Sequence, residues 1–410
     1  MRRADSSSDG VGPLVPADRP LIVQSHLRWD FVWQRPQQIL SRLAERRSVL
    51  FVEEPIFLDD LSAPRLDISV PFANVFRALP RLPGSLRDDY ERGTAEIREL
   101  VQAAISPNGE LKRLFNTPVQ WFYSPFTAPA MLGAFNEVAV VYDCMDELSQ
   151  FRFAHPDLAR RERLLLANAD VVFTGGYKLY ESKRRYHHNV HFFGCGVDAR
   201  HFGMARLTET PVPDDVASVP QPILGYFGVI DERIDYELIR SLAEAMPHAS
   251  VVMVGPVVKV DPASLPHALN IHWLGQRDYK DLPGYVKAFD VCLMPFALNE
   301  ATEFINPTKT LEYMAAGKPI ISTAVPDVVR NFSPVVQIAR SPGEFAALNR
   351  EAAANPDKAL IAQGLEKASG ASWESIVAKM SRLISDVSEA TAPPVRVAQR
   401  SPQLGELAVQ

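Results

Sequence analysis

The chain has 410 residues, 47% of them apolar and 22% charged, with a formal net charge of -6. That is ordinary soluble globular composition, long enough for two sizeable cores, and it excludes a nucleic-acid protein held by a bulk positive field. The charge is uneven: residues 1–205 carry 25 Lys and Arg against 25 Asp and Glu, and the rest carry 18 against 24, so the first half is the more basic.

In chain order, residues 1–18 are rich in Ser, Asp, Gly and Pro and are expected to be a disordered tail. They lack the apolar run of a signal peptide. "PLIVQS" (20–25) reads as a buried strand, "RPQQILSRLAERR" (35–47) as a helix with Pro36 in its first turn, and "SVLFVEE" (48–54) as the next strand. Residues 55–110 give one helical pattern, at 88–105. Strands follow at 119–124, 138–143 and 170–175, with helices at 157–169 and 176–186. This alternation predicts a parallel doubly wound sheet over 19–206.

"LTETPVPDDVASVPQP" (207–222), with four prolines and three acids, is expected to be a linker. A second βα series then occupies 223–370, and a helix at 371–390 stands apart from it. The tail 391–410 is expected to be disordered. The fold class is therefore α/β, two Rossmann-like domains facing across a cleft.

Cys144, Cys195 and Cys292 are far apart and form no CxxC pair, which fits a reducing compartment and a cytoplasmic location. No apolar stretch approaches the roughly 18 residues of a membrane span. His155, His187, His188 and His191 have no metal-ligand spacing, and no metal is expected.

"INPTKTLEYMAAGKPIIST" (305–323) carries the chemistry. Asn306 reads as an N-cap, Pro307 as the first helical residue, and Gly317 as the stop before a strand opened by Pro319. The amides of Thr308 and Lys309 would then make an anion site with the Lys309 ammonium. Glu312, at i+3, shares that face and is suited to accept from two vicinal hydroxyls. A nucleoside diphosphate uses every one of these groups; an ordinary Lys–Glu surface pair is the open alternative.

The segment resembles the donor-binding element of GT-B glycosyltransferases of the retaining family-4 type. The resemblance runs from 20 to 388 through "FFGCGVDARHF", "GYFGVIDERIDYELI", "NIHWLGQRDYKDLPGYVKAFDVCLMPF" and "SWESIVAKM", the last as a helix crossing back to the first domain. "HLRWDFVWQRPQQILSRLAERRSVLFVEEP" and "VVYDCMDELSQF" are similar to a subset from bacterial cell-surface polysaccharide clusters of the teichuronic-acid type.

The resemblance implies a transferase moving a hexose-type sugar, with retention, from a UDP- or GDP-linked donor to a saccharide or lipid-linked hydroxyl. No cofactor is implied, and peripheral contact at the inner membrane face would suit such an acceptor. Glu312 matches the ribose-holding glutamate, and Asn306 to Lys309 match the turn that meets diphosphate and sugar. Phe304 stands where a sugar-contacting acid is usual, with Glu303 beside it. Val229 stands at an expected arginine, so Arg233 and Lys309 are assigned to the diphosphate. Gly228, at the turn after the first strand of the second domain, and Gly275, at the start of the base-reading segment to Tyr279, complete the donor side. On the acceptor side, His26, Arg28, Trp29, Asp30 and Arg35 follow the first strand. Asp143, Asp146 and Glu147 follow "VAVVYD" as candidates to orient a hydroxyl or act as base. An NDP-sugar epimerase or phosphorylase on the same architecture, and a nucleotide-sugar-binding protein without catalysis, are the rival readings.

Overall fold

A computed structural model describes residues 18–151 and 154–390. The tails expected at 1–18 (apart from Asp18) and 391–410 lie outside the described residues.

The first sheet has nine strands: β1 (Leu21–Gln24), β2 (Val49–Val52), β3 (Ile56–Leu58), β4 (Arg65–Phe72), β5 (Val75–Pro83), β6 (Val119–Phe122), β7 (Ala139–Cys144), β8 (Val171–Thr174) and β9 (Val190–Phe192). Their order is β3-β5-β2-β1-β6-β7-β8-β9, parallel throughout, with β4 antiparallel to β5. Sequences such as LIVQ and VLFV have every residue buried, as parallel strands covered on both faces require. The stretch 55–83 that gave no pattern is three strands. β4 is solvent-facing along much of its length, so its apolar residues form no buried run.

The second sheet has six parallel strands, β10 (Ile223–Phe227), β11 (Ser250–Val254), β12 (Ile271–Gly275), β13 (Val291–Met294), β14 (Ile320–Thr323) and β15 (Val336–Ala339), in the order β12-β11-β10-β13-β14-β15. Its core reaches back to Val197, Phe202 and Ala205 and includes Val216 and Val219 from the proline-rich stretch. That stretch is not a free tether. The Lys287 ammonium donates to the carbonyls of Leu207, Thr208 and Thr210, and Asp215 pairs with Arg277 at 2.7 Å. Helices Pro326–Phe332, Pro342–Ala354 and Lys358–Ser369 complete this half, in a region the periodicity left unassigned.

The chain crosses between the sheets twice, side by side. The Val197 amide donates to the Ala371 carbonyl at 2.8 Å, and Val197 bridges Ser372 in parallel. The final helix, Trp373–Ala390, then buries Trp373, Val377, Met380 and Ile384 in the core of the first domain, among Leu40, Trp121 and Phe173. Arg42 pairs with Glu374 at 2.7 Å on the same seam.

Candidate active-site cleft

Parallel sheets present the C-terminal ends of their strands and the loops that follow as one edge. Here the two edges face each other across a cleft of about 780 Å³. Trp33, Arg35, Met145 and Asp146 line it from the first domain, and Gly228, Arg233, Thr308, Lys309 and Glu312 from the second.

The helix at the floor spans Lys309–Ala315. It starts later than expected: Thr308 flanks it, and no side chain caps it. Asn306 is not the cap, because its Nδ2 donates across the domain boundary to the Gly175 carbonyl at 3.0 Å. Its own carbonyl accepts from the Cys195 thiol at 3.0 Å. Burial pushes that thiol up to about 12, so it stays protonated. Leu311, Met314 and Ala315 pack inward, and the Tyr313 hydroxyl receives the Phe227 amide at 3.0 Å. These contacts fix the helix against β10.

Lys309 and Glu312 project into the cleft. Burial lowers the lysine's pKa against the opposing pull of Glu312, and the ammonium sits 5.6 Å from the Tyr226 ring centre. Burial raises the Glu312 carboxyl to about 7, with Lys309 pulling the other way. A carboxylate beside a cation is suited to accept hydrogen bonds from hydroxyls. The loop after β10 makes room for both. Gly228 has φ +138°, and a Cβ there would run into Lys309 Cε and Nζ. Gly255, at φ +151°, lies against the Gly228 carbonyl with no room for a side chain.

Arg233 reaches the cleft but is not free. Asp231 clamps it through Nε–Oδ1 at 2.9 Å and Nη2–Oδ2 at 2.8 Å, and Phe151 of the first domain lies 5.9 Å from its guanidinium. Burial works against its charge, and the Asp231 pair outweighs that and holds its pKa above the usual arginine range. Asp146 faces this pair from the first domain. Burial raises its carboxyl to about 6, with Arg233 opposing.

Several residues assigned to the cleft from sequence are engaged elsewhere. Asp143 is fully buried in an ion pair with Arg35 at 2.9 Å, so it neither orients an acceptor nor acts as a base. Arg35 borders the cleft, yet it spends its other donors on Asp143 and the Phe193 carbonyl instead of an incoming phosphate. Glu147 is taken by Lys183 at 2.6 Å, which also holds Glu162. Arg28 turns to Glu53 and the Glu54 carbonyl. His26 is half-buried and does not line the cleft; burial, then repulsion from Lys259, lowers its pKa to about 4. Glu303 points outward to Lys178 at 3.7 Å, so it does not stand in for the acid that Phe304 replaces. Gly275 supports the site from behind, its carbonyl accepting the Gly255 amide at 2.8 Å. Trp29 is 4% exposed and stacks edge-on with Phe51 and Trp33, a plug more than a platform. Asp30, at the rim, pairs with Arg77.

Sequence reasoning passed over Asp231, although a carboxylate two residues before an arginine on a tight turn can chelate its guanidinium. It also gave Tyr279 no role beyond bounding the base-reading segment. That residue stacks on His201 at 4.4 Å, takes a hydrogen bond from Gln38 Nε2 at 3.0 Å and abuts Trp33, bridging the cleft mouth. Among the described residues no cluster of three or more His, Cys, Asp or Glu is placed to hold a metal ion. Nor is any helix among them long and apolar enough to cross a membrane.

Two Rossmann-like sheets joined by a double crossing, with a final helix returned to the first, define the GT-B class. Solved structures align along almost the whole chain. A trehalose-6-phosphate structure from E. coli bound with UDP-2-fluoro glucose matches with a TM-score of 0.66 at 13% identity, covering 92% of this chain and 100% of that one. Sucrose-phosphate synthase from Thermosynechococcus elongatus matches with a TM-score of 0.65 at 18% identity, covering 91% and 100%. Residues 221–354 match the family described as glycosyl transferases group 1. A curated relative, a putative teichuronic acid biosynthesis glycosyltransferase from Bacillus subtilis, is 24% identical over 234 residues. That alignment spans 53% of this chain and 58% of the relative.

Proposed function

We propose that the protein is a glycosyltransferase that moves a sugar from a nucleoside-diphosphate sugar to a hydroxyl of a saccharide or lipid-linked acceptor, in cell-surface polysaccharide synthesis. The observation that carries this reading is the buried Glu312 one turn into the helix from Lys309, both open to the interdomain cleft. The Glu312 carboxylate accepts from the ribose hydroxyls. The amides around Thr308 and the Lys309 ammonium meet the diphosphate, and the edge of Arg233 left over by Asp231 adds a second donor. As the glycosidic bond breaks, negative charge grows on the departing diphosphate, and these cations stabilise it. Asp146, with its raised pKa, orients the acceptor hydroxyl from the opposite wall. Retention belongs to the family-4 resemblance and is carried here as part of the proposal, with the departing phosphate taking the acceptor's proton.

A specific observation keeps one rival in view. Glu303 is turned to Lys178 and does not line the cleft. A protein that binds the nucleotide sugar without turning it over would share this feature.

Thermal melting against UDP, GDP, ADP and dTDP tests the proposal. At about 100 times its Kd, the correct nucleotide stabilises the protein by about 2.7 kcal/mol. Wild type should respond to one nucleotide and Glu312→Ala to none. No response from wild type to any of the four would overturn the reading. Release of free sugar or of transfer product from the matching nucleotide sugar then separates the transferase from the inert binder.

A further inference from the structure

The turn at 304–308, which leads into the donor helix, is gripped from the first domain. β8 ends at Thr174, and the loop after it lies against this turn. The Gly175 carbonyl accepts from Asn306 Nδ2 at 3.0 Å. Gly176 packs so closely that a Cβ there would meet the Phe304 carbonyl at 3.0 Å and Asn306 Cβ at 3.7 Å.

A second grip comes from Asp327, a buried carboxylate for which the transfer chemistry has no use. It stands in the first turn of helix Pro326–Phe332 and is 1% exposed, yet its partners belong to the other domain. Oδ2 accepts from the Tyr177 amide at 2.6 Å and Oδ1 from the Lys178 amide at 3.3 Å. These amides open helix Tyr177–Lys183, whose N-cap position is Gly176 and which has no side-chain cap of its own. A Ser, Asn or Asp at 176 is the ordinary way to satisfy such amides. Here a Cβ would stand 2.8 Å from Asp327 Oδ2 and press on the Phe304 carbonyl. Gly176 has φ -126°, which any residue adopts, so the glycine serves the contact and not the backbone conformation. Arg330 covers the junction, its guanidinium 3.6 Å from the Tyr177 ring centre.

We propose that Gly176 and Asp327 are positioning residues for the donor diphosphate. They fix the 304–308 turn against the first domain, and the turn aims the amides around Thr308 at the terminal phosphate. Neither residue lines the cleft, so each acts through the turn and not by touching substrate. This rests on the transferase reading and deepens it, because donor binding becomes a property of both domains.

The test uses the full chain and titration calorimetry with UDP, GDP, ADP and dTDP, each beside its monophosphate. The pair that binds wild type gives a diphosphate preference, the factor by which the diphosphate binds more tightly. Gly176→Ala and Asp327→Ala should each lower that factor at least about tenfold, through hydrogen bonds lost to the terminal phosphate. The monophosphate Kd should stay unchanged, because the Glu312 clamp on the ribose does not depend on the turn. Gly343→Ala, where a Cβ meets nothing, controls for the glycine replacement itself and should keep the wild-type factor. A merely structural contact gives a lower urea midpoint with both Kd values moved together. That result overturns the proposal, as does an unchanged factor in either folded variant or a wild type that does not prefer the diphosphate. Gly176→Ala deletes no hydrogen-bonding group, so it keeps the test decisive should Asp327→Ala not fold. Binding of no nucleotide by wild type is a different failure: it sinks the transferase reading, and the proposal falls with it.

Discussion

Replacing Glu312 by Gln probes the centre of the cleft through its proton. Burial raises the carboxyl from its ordinary 4.5 to about 7. At about 1.4 kcal/mol per pH unit, that difference amounts to ~3 kcal/mol. The folded pKa lies above the unfolded one, so the folded state binds the proton more tightly. Its stabilisation is therefore complete below about pH 4.5 and is lost as pH rises through about 7. Glu312→Gln carries no such proton and keeps its stability over that window. Urea unfolding of both proteins between pH 5 and pH 8 should show the variant gaining on wild type by up to ~3 kcal/mol as pH rises. A difference that stays flat with pH would refute the claim that Glu312 holds a proton because it is buried. Ligand binding adds a second reading of the same group. Two ribose hydroxyls donating to the carboxylate favour its charged form, so a nucleotide that binds at pH 6.5 must release a proton. Calorimetry in two buffers of different ionisation enthalpy measures that release, and Glu312→Gln should abolish it.

Three further outcomes follow from the contacts around the cleft. Lys309→Met removes a charge-assisted donor to the diphosphate and should weaken nucleotide binding by about 10- to 100-fold, measured by titration calorimetry, with little change in the urea midpoint. Arg35→Met leaves Asp143 buried and unpaired and should cost about 3–5 kcal/mol in urea unfolding, whereas Asp143→Asn in the same chain should restore part of the loss. Trp373→Ala empties part of the first domain's core from the far end of the chain and should cost about 3–5 kcal/mol, with the transition at the first domain displaced.

The fold was largely legible because buried parallel strands announce themselves. LIVQ, VLFV and VCLM are short runs of buried residues between helical patterns. The hairpin at 65–83 escaped because β4 is solvent-facing, and a half-exposed strand has no uniform hydropathy signal. The donor helix was legible as chemistry, since Lys309 and Glu312 are three residues apart and any helix puts them on one face. Partners far apart in sequence were not. Asp143 meets an arginine 108 positions away, and Lys183 meets Glu147 at a distance of 36. Nothing local distinguishes a carboxylate at a strand end that faces ligand from one that neutralises a buried cation; only the packing of helix Arg35–Leu43 against β7 decides it. The same holds for Asn306, whose cap-like position invited a local role while its amide serves the opposite domain.

The return of helix Trp373–Ala390 to the first domain has a consequence for biosynthesis. Along the chain the second domain is an insertion whose two ends, near Val197 and Ser372, lie side by side. The first domain's core includes Trp373, Val377, Met380 and Ile384, so it stays incomplete until the ribosome has made the whole of the second domain. The usual order, in which the N-terminal domain folds first during synthesis, is inverted here. The inserted domain can close as soon as its own strands have emerged, and the domain that was started first is finished last.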